Sequence, residues 1–428
     1  MRFSTALVCT SLCVLLSACS SAEPAAQPAS DAALEPADAA LEQVDPELPD
    51  ASSEESAACT IDTCTFAAPE LWSKPVADYI QAASDGLQVD SMELHRSIDD
   101  LMVFEDRLYF GYGDATLNAG RVVDIQVRYF SETGGPQPLV DFEKTTEEEL
   151  EHYRRFGDSL YIPGVDATED QFLGNVFVRP QGGSWTRQRS VQGGVHVHDV
   201  AVFGSELYAC GSGALDLETW NQGMVHSFLW RSHDQGQSWQ AVAEVANDQI
   251  GDRRWVQLVP FPQRLLVFGY STDAKGSIVK LLSNAWDGTQ MTDTAIGSKH
   301  FVLSSEVMDA TTAVLRVVKV TAPLQFQLLK VAADGTTGAV VAALSGKTVL
   351  DIHVFEPGKA VLVVSETDAY PLPYNTTPWH VLYTSDWSSF RELTTGSTTY
   401  WPTAVAYWKG GLYVGTENGL VYRSVPVD

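Results

Sequence analysis

Positive charge is scarce in this chain. Its 428 residues hold 27 Lys and Arg against 55 Asp and Glu, a formal net charge of −28. That balance excludes nucleic acid and anionic lipid headgroups as direct ligands, because like charges repel. After residue 18, no run approaches the roughly 18 to 20 apolar residues that a membrane-spanning helix needs. Helical periodicity is nearly missing, apart from a short stretch near Pro75 to Ala83. The chain also lacks a Gly-x-Ser-x-Gly elbow, a phosphate-binding loop, a His-Glu-x-x-His pair and paired zinc-type cysteines. No cofactor is implied.

What is present begins at the N-terminus. Arg2 precedes an apolar stretch that ends in Leu16-Ser17-Ala18-Cys19. A basic start, an apolar core and small residues before a cut mark a secretory signal. With cysteine directly after the cut, the pattern resembles the lipobox of bacterial lipoproteins. The resemblance implies lipidation of Cys19, which becomes the mature N-terminus. Several acyl chains hold firmly, since each buried CH2 contributes about 0.8 kcal/mol. Residues 20–58 carry ten acidic residues and no Lys, Arg or aromatic residue. Such a segment cannot bury enough apolar surface to fold, so it is expected to be an extended, disordered spacer. Ser20, not Asp, follows the cysteine, which favours the outer membrane or cell surface. The expected division is 1–18 signal, 19–58 lipidated Cys and linker, 59–97 lead-in, and 98–428 folded domain.

The six cysteines divide by position. Cys9 and Cys13 leave with the signal and Cys19 is the anchor. Cys59 and Cys64, close together in an oxidising compartment, are expected to form a small disulfide loop. Cys210 lies in an apolar strand and reads as a small buried hydrophobe.

One phrase recurs: an apolar strand, a polar turn, then a second strand that often contains Leu-Tyr. It runs Asp100 to Phe104, turn Glu105-Asp106, then Arg107 to Gly111. Further copies place their first strands at Tyr153–Phe156, Asp199–Phe203, Val256–Phe261, Val302-Leu303, Asp351–Phe355 and Ala404–Trp408. The anchors Leu108, Leu160, Leu207, Leu265, Val314, Val361 and Leu412 are spaced by 52, 47, 58, 49, 47 and 51 residues. A period of about 50 residues predicts an all-β fold, a β-propeller of about seven four-stranded blades. A ring cannot end on an open edge, so residues 65–97 are expected to supply the missing outer strand.

The second half of one copy, Ser232-His233-Asp234-Gln235-Gly236-Gln237-Ser238-Trp239, resembles the Asp-box (BNR) repeat of sialidases and sortilin-type receptors. In that pattern Ser232 and Asp234 fold back onto backbone N–H groups, Gly236 supplies a positive φ, and Trp239 packs between strands. Degenerate copies occur at Ser131–Gly135, Gly182–Trp185, Tyr383–Asp386 and Tyr422–Ser424. The motif implies architecture and not chemistry. The sialidase arginine motif has no match; Tyr153-Arg154-Arg155-Phe156 departs from it after two residues.

Propeller ligands usually sit over the central channel, which places the candidate site on the loops that lead into each innermost strand. His95, Arg96, His152, His196, His198, Arg253, Arg254, Trp255, His300, His353, Tyr400 and Trp401 fall there. Asp114, Asp166, Asp273 and Asp368 fall on the loops between second and third strands. Trp255 and Trp401 are candidate stacking platforms, and the charged groups candidate hydrogen-bonding partners. His196 and His198 share one strand face and could reach a metal with His152 or Asp166, although His-x-His alone is weak and no metal site is assigned. The reading is a lipid-tethered, monomeric, non-catalytic propeller that binds a protein or glycan. The alternative is a glycoside hydrolase or lyase using channel-mouth carboxylates, Asp114 with Asp166.

Overall fold

The computed structural model describes residues 60–427, except 170–171, 215, 248, 295, 297–299, 321–324, 336–337 and 367–377. The expected signal, the Cys19 anchor, the linker, Cys59 and Asp368 lie outside the described residues. Cys64 is disulfide-bonded. Among the described residues no helix is long and apolar enough to cross a membrane.

Each repeat folds first as a hairpin. Apolar strands are joined by tight turns whose residues take positive φ, as at Glu105, Gly157, Gly204 and the Lys409-Gly410 pair. Third and fourth strands then add in up-and-down order. The third unit shows the pattern: Gly194–Phe203, Glu206–Gly213, Met224–Ser232 and Gln240–Val245. The fold is all-β, a β-propeller closed by an N-terminal strand.

The blade count needs one correction. There are four separate four-stranded sheets, one eight-stranded sheet and one three-stranded sheet of blade size. That makes five sheets of four or more strands, where the repeat predicts about seven. The eight-stranded sheet holds two repeat units, joined where Met224 and Val225 pair in parallel with Gly251 and Asp252. The unit at 300–332 keeps three strands, its outer neighbour reduced to a bridge between Leu329 and Val340. By repeat, the units span 101–142, 154–192, 194–245, 251–293, 300–332, 348–396 and 402–424. They are called the first to the seventh unit below.

Glu70–Ser73 closes the ring. It runs antiparallel to Val421–Ser424 as the outer strand of the seventh unit, with Leu71 opposite Tyr422. Trp72 fastens the joint. Its ring centroid lies 4.5 Å from that of Phe130 in the first unit and 5.0 Å from that of Tyr413 in the seventh. The helical stretch read near Pro75 becomes helix α1 (Ala77–Leu87), which buries Tyr79 and Ala83 and ends where Gln88 turns left-handed. Arg128 grips its first turn, donating to both oxygens of Asp78 at 2.8 Å.

Five innermost strands bulge at the same place, between Val197 and Asp199, Trp255 and Gln257, Val302 and Ser304, Val349 and Asp351, and Pro402 and Ala404. A bulge adds a residue to one strand and re-aims its neighbours. Glycine lies opposite where the backbones come close. A Cβ on Gly211 would sit 2.0 Å from the His196 carbonyl oxygen, and one on Gly269 1.9 Å from that of Arg254.

The Ser232–Trp239 turn is closed by its own side chains. Asp234 Oδ1 accepts the Ser232 hydroxyl at 2.7 Å and the Ser238 N–H at 2.9 Å. Ser232 Oγ accepts the Gly236 N–H at 2.8 Å, with Gly236 at φ 92°. The sixth unit repeats this at Asp386, which accepts the N–H groups of Ser388 and Ser389 at 2.8 Å.

Candidate functional site

Asp199 and Asp351 stand at bulges and Asp100 just before the first innermost strand, and these carboxyls tie neighbouring units together. Asp100 Oδ2 accepts the Tyr153 N–H at 2.7 Å, from first to second unit. Asp199 Oδ2 accepts the Leu258 N–H at 2.7 Å, from third to fourth. Asp351 Oδ2 accepts the Val405 N–H at 2.8 Å, from sixth to seventh. Each bond satisfies a buried backbone donor with a carboxyl oxygen.

Arg154 ties three units at once. Its Nε and Nη2 donate to the two oxygens of Asp199 at 2.8 and 2.9 Å, and its Nη1 donates to the Ser305 carbonyl at 3.2 Å. His152 Nε2 lies 3.2 Å from Asp199 Oδ1, and Gln257 Nε2 donates to Asp199 Oδ2 at 2.7 Å. Burial opposes the charge on Asp199, but Arg154 and His152 outweigh it and hold the carboxyl below the ordinary range. Glu306 has no such compensation. Burial pushes its carboxyl up to about 8, with Arg154 offsetting only part. Asp351 rises to about 7 through burial, with Arg316 3.7 Å away as the partial offset.

The structure brings some sequence-predicted residues together and separates others. The His95 N–H donates to Asp114 Oδ2 at 2.8 Å, while the His95 ring lies between Glu149, 3.4 Å from Nδ1, and Asp99, 3.5 Å from Nε2. Burial alone would lower His95, but these carboxylates win and push it up to about 10. His196 Nε2 lies 3.6 Å from Asp166 and its Nδ1 3.2 Å from Ser212 Oγ. His198 stacks on His196 at 5.6 Å, buried, with neither ring nitrogen partnered among the described residues. His152 turns instead to Asp199, so the imidazoles at 152, 196 and 198 do not converge. Among the described residues, the His, Cys and acidic side chains close enough to share an ion are His95, Asp99 and Glu149.

The remaining candidates scatter. Arg254 is buried and pairs with Asp252 at 2.6 Å. Trp255 has no solvent exposure; its ring packs with Leu229 and Leu265, and its indole N–H donates to Asn284 at 3.2 Å. Arg96, His300, Tyr400 and Trp401 are half-buried, and the Trp401 carbonyl accepts the Glu417 N–H at 2.9 Å. Asp273 is spent on a turn, accepting from Lys275 and Ser277 at 2.8 and 3.0 Å. Cys210 is free and buried, and burial raises its thiol.

Sequence reasoning missed the central cluster of Asp100, Arg154, Asp199, Glu306 and Asp351. A signal was there: aspartate heads three copies of the repeat, at 100, 199 and 351. It also missed a cavity of about 740 Å³ at the opposite end of the channel. That cavity is walled by the last residues of the innermost strands and the turns after them, including Met102, Phe156, Pro260, Phe261, Val354 and Phe355. Arg154, Glu306 and His353 supply polar groups. It therefore opens on the face of the first hairpin turns, not on the lead-in face where the candidates were sought.

No family model and no curated protein matches the chain. Solved structures with similar folds include the WD40 β-propeller domain of Doa1, at 15% identity and TM-score 0.41, covering 77% of this chain and 93% of that one. An α-L-arabinofuranosidase from Fusarium graminearum with an iminosugar inhibitor is 11% identical, with TM-score 0.34 and coverage of 64% and 91%. YCF48 bound to a D1 peptide is 13% identical, with TM-score 0.38 and coverage of 78% and 94%. These likenesses are of fold alone.

Proposed function

We propose that this chain is an exported lipoprotein, held at the outer membrane or cell surface through Cys19, whose Asp-box-type propeller binds a protein or glycan without turning it over. One observation carries the non-catalytic reading: the central carboxylates of Asp100, Asp199 and Asp351 are each committed to a backbone N–H of the next unit. A catalytic pair must instead flank a bond, about 5 to 10 Å apart in a glycosidase, with freedom to exchange protons. Asp114, half of the rival pair, is 1% exposed and is taken by the N–H groups of His95 and Leu117 at 2.8 and 2.9 Å. The ligand surface is then the open part of the lead-in face, where Arg96, Tyr400 and Trp401 remain half-exposed.

Two measurements test this. Cys19→Ser should move the protein from the membrane fraction to the soluble one and abolish palmitate labelling. A photo-cross-linking residue at Tyr400 should trap a defined ligand that the same residue at Leu139, exposed on the outermost strand of the first unit, does not trap. Turnover of any glycoside by the purified protein, abolished by Asp114→Asn, would replace binding with hydrolysis.

A further inference from the structure

The residues just before the closing strand make a second joint, separate from that strand. Residues 60–64 curl into a turn, with the Thr63 and Cys64 N–H groups donating to the Thr60 carbonyl at 2.9 Å. Thr65 and Phe66 then pair antiparallel with Val427 and Pro426, just past the seventh unit. Ile61, Cys64 and Phe66 are buried. They share one apolar cluster with Tyr383 and Leu393 of the sixth unit and Leu412 and Val414 of the seventh.

Polar side chains grip the same segment. Arg391 donates to the carbonyls of Ile61 and Cys64, the latter at 2.7 Å. Asp62 accepts the Tyr383 hydroxyl and lies 3.4 Å from Lys359 Nζ. The Ala67 carbonyl accepts the hydroxyls of Thr394, at 2.8 Å, and Ser424, while its N–H donates to the Val425 carbonyl at 2.9 Å. Three residues further on, Glu70–Ser73 closes the ring through three cross-strand pairs and the packing of Trp72.

Cys64 is disulfide-bonded, and Cys59 is the cysteine expected to pair with it. Such a bridge changes how a pull from the N-terminal side is shared. Without it, tension reaches residues 60, 61 and 62 in turn and peels one contact at a time. With it, tension passes from Cys59 straight to Cys64, and the contacts of Ile61, Cys64 and Phe66 must give way together. Frayed ends open at low free energy, whereas packed segments open only with the unit they belong to.

The direction of the pull follows from the fold. Lys359 begins the second strand of the sixth unit and Tyr383 stands next to the end of its third, so the segment sits at the face of the first hairpin turns. The proposed ligand surface is on the opposite, lead-in face. A tether and a bound ligand therefore load the disc from its two sides. We propose that residues 60–67 are a load-bearing plug, seated between the sixth and seventh units, that takes this tension and keeps it off Glu70–Ser73. The plug's role rests on the tethered-binder reading, and its mechanics are measured without lipid or ligand.

Optical tweezers pull the full chain carrying Cys19→Ser, with one handle at Ser20 and the other at Glu218, exposed in the third unit. In the oxidised protein the first event is expected to be the unfolding of a whole unit. In Cys64→Ser, or after reduction of the folded wild type, a step at lower force should come first. It should lengthen the molecule by up to roughly 35 Å, the reach of residues 60–69 at about 3.3 to 3.6 Å each. Arg391→Gln, with the bridge kept, should also lower the force of the first event. Handles at Leu139 and Glu218 bypass the plug, and there loss of the bridge should leave the rupture force unchanged. An identical first event with and without the bridge would overturn the proposal. So would an equal drop in force with the bypassing handles, which marks a general loss of stability. Should Cys64→Ser not fold, the reduced wild type gives the comparison. If Cys19→Ser stays in the membrane fraction, the tether falls while these forces stand, so the two failures are told apart.

Discussion

Arg154 and Asp199 meet side-on, two nitrogens to two oxygens at 2.8 and 2.9 Å, across the boundary between the second and third units. The remaining guanidinium nitrogen reaches the fifth unit at Ser305. This contact joins sheets far apart in sequence, and the carboxylate is fully buried. Arg154→Met should therefore cost about 3 to 5 kcal/mol, because Asp199 is left charged with weaker partners. Arg154→Lys should fare little better, since one ammonium cannot replace the planar fork. Urea unfolding measures both, and a loss below about 1 kcal/mol would show the pair to be incidental.

Stability should fall as pH rises from about 6.5 to 8.5. Folding raises the Glu306 carboxyl from 4.5 to about 8 and the Asp351 carboxyl from 3.8 to about 7. A raised acid contributes stability in full below its unfolded value and loses it as pH climbs through the folded value. His353, lowered from 6.5 to about 4, acts oppositely only below 6.5, while His95, raised from 6.5 to about 10, adds to the same decline above it. Melting curves across this range should show the decline, and Glu306→Gln should make it shallower while leaving the part due to Asp351 and His95.

Ring closure should depend on Trp72. Its indole bridges Phe130 and Tyr413, the first and last units, and it is half-buried. Trp72→Ala should cost about 2 kcal/mol, less than the full loss of a deeply buried tryptophan. Amide exchange in Glu70–Ser73 and Val421–Ser424 should accelerate selectively. Uniform acceleration through all units would mean that this strand is not a latch.

Two glycines should separate steric need from backbone need. Gly269→Ala drives a methyl against the Arg254 carbonyl, 1.9 Å away and fixed by the bulge, and should cost about 2 to 4 kcal/mol. Gly410→Ala meets nothing within 4 Å but keeps φ at 75°, and should cost only about 1 kcal/mol. Equal losses in thermal unfolding would contradict the close-approach argument.

The architecture was legible because it is written in local pattern. Alternating turn residues and apolar strands recur near every 50 residues, and a strand of this kind must find neighbours on both edges. That same logic required a closing strand before residue 97, and Glu70–Ser73 supplies it. The helix at Ala77–Leu87 was visible as the one break from strand periodicity. Blade boundaries were less legible, because two units merge through a two-residue parallel contact at Met224 and Val225 that no periodicity marks.

The site was another matter. Trp255 looks like a binding platform from its place before a strand, yet it is core, because the bulge at Trp255/Gln257 sets its ring among Leu229 and Leu265. Arg154 looks like a broken enzyme motif, yet it is a cross-ring clamp. By itself the sequence determined a closed ring of sheets, since periodicity and edge satisfaction act over neighbouring residues. Only the tertiary structure decided which charges meet at the centre and which face holds a cavity. Those outcomes depend on bulge positions and on side chains from units more than a hundred residues apart, such as Arg154 and Ser305.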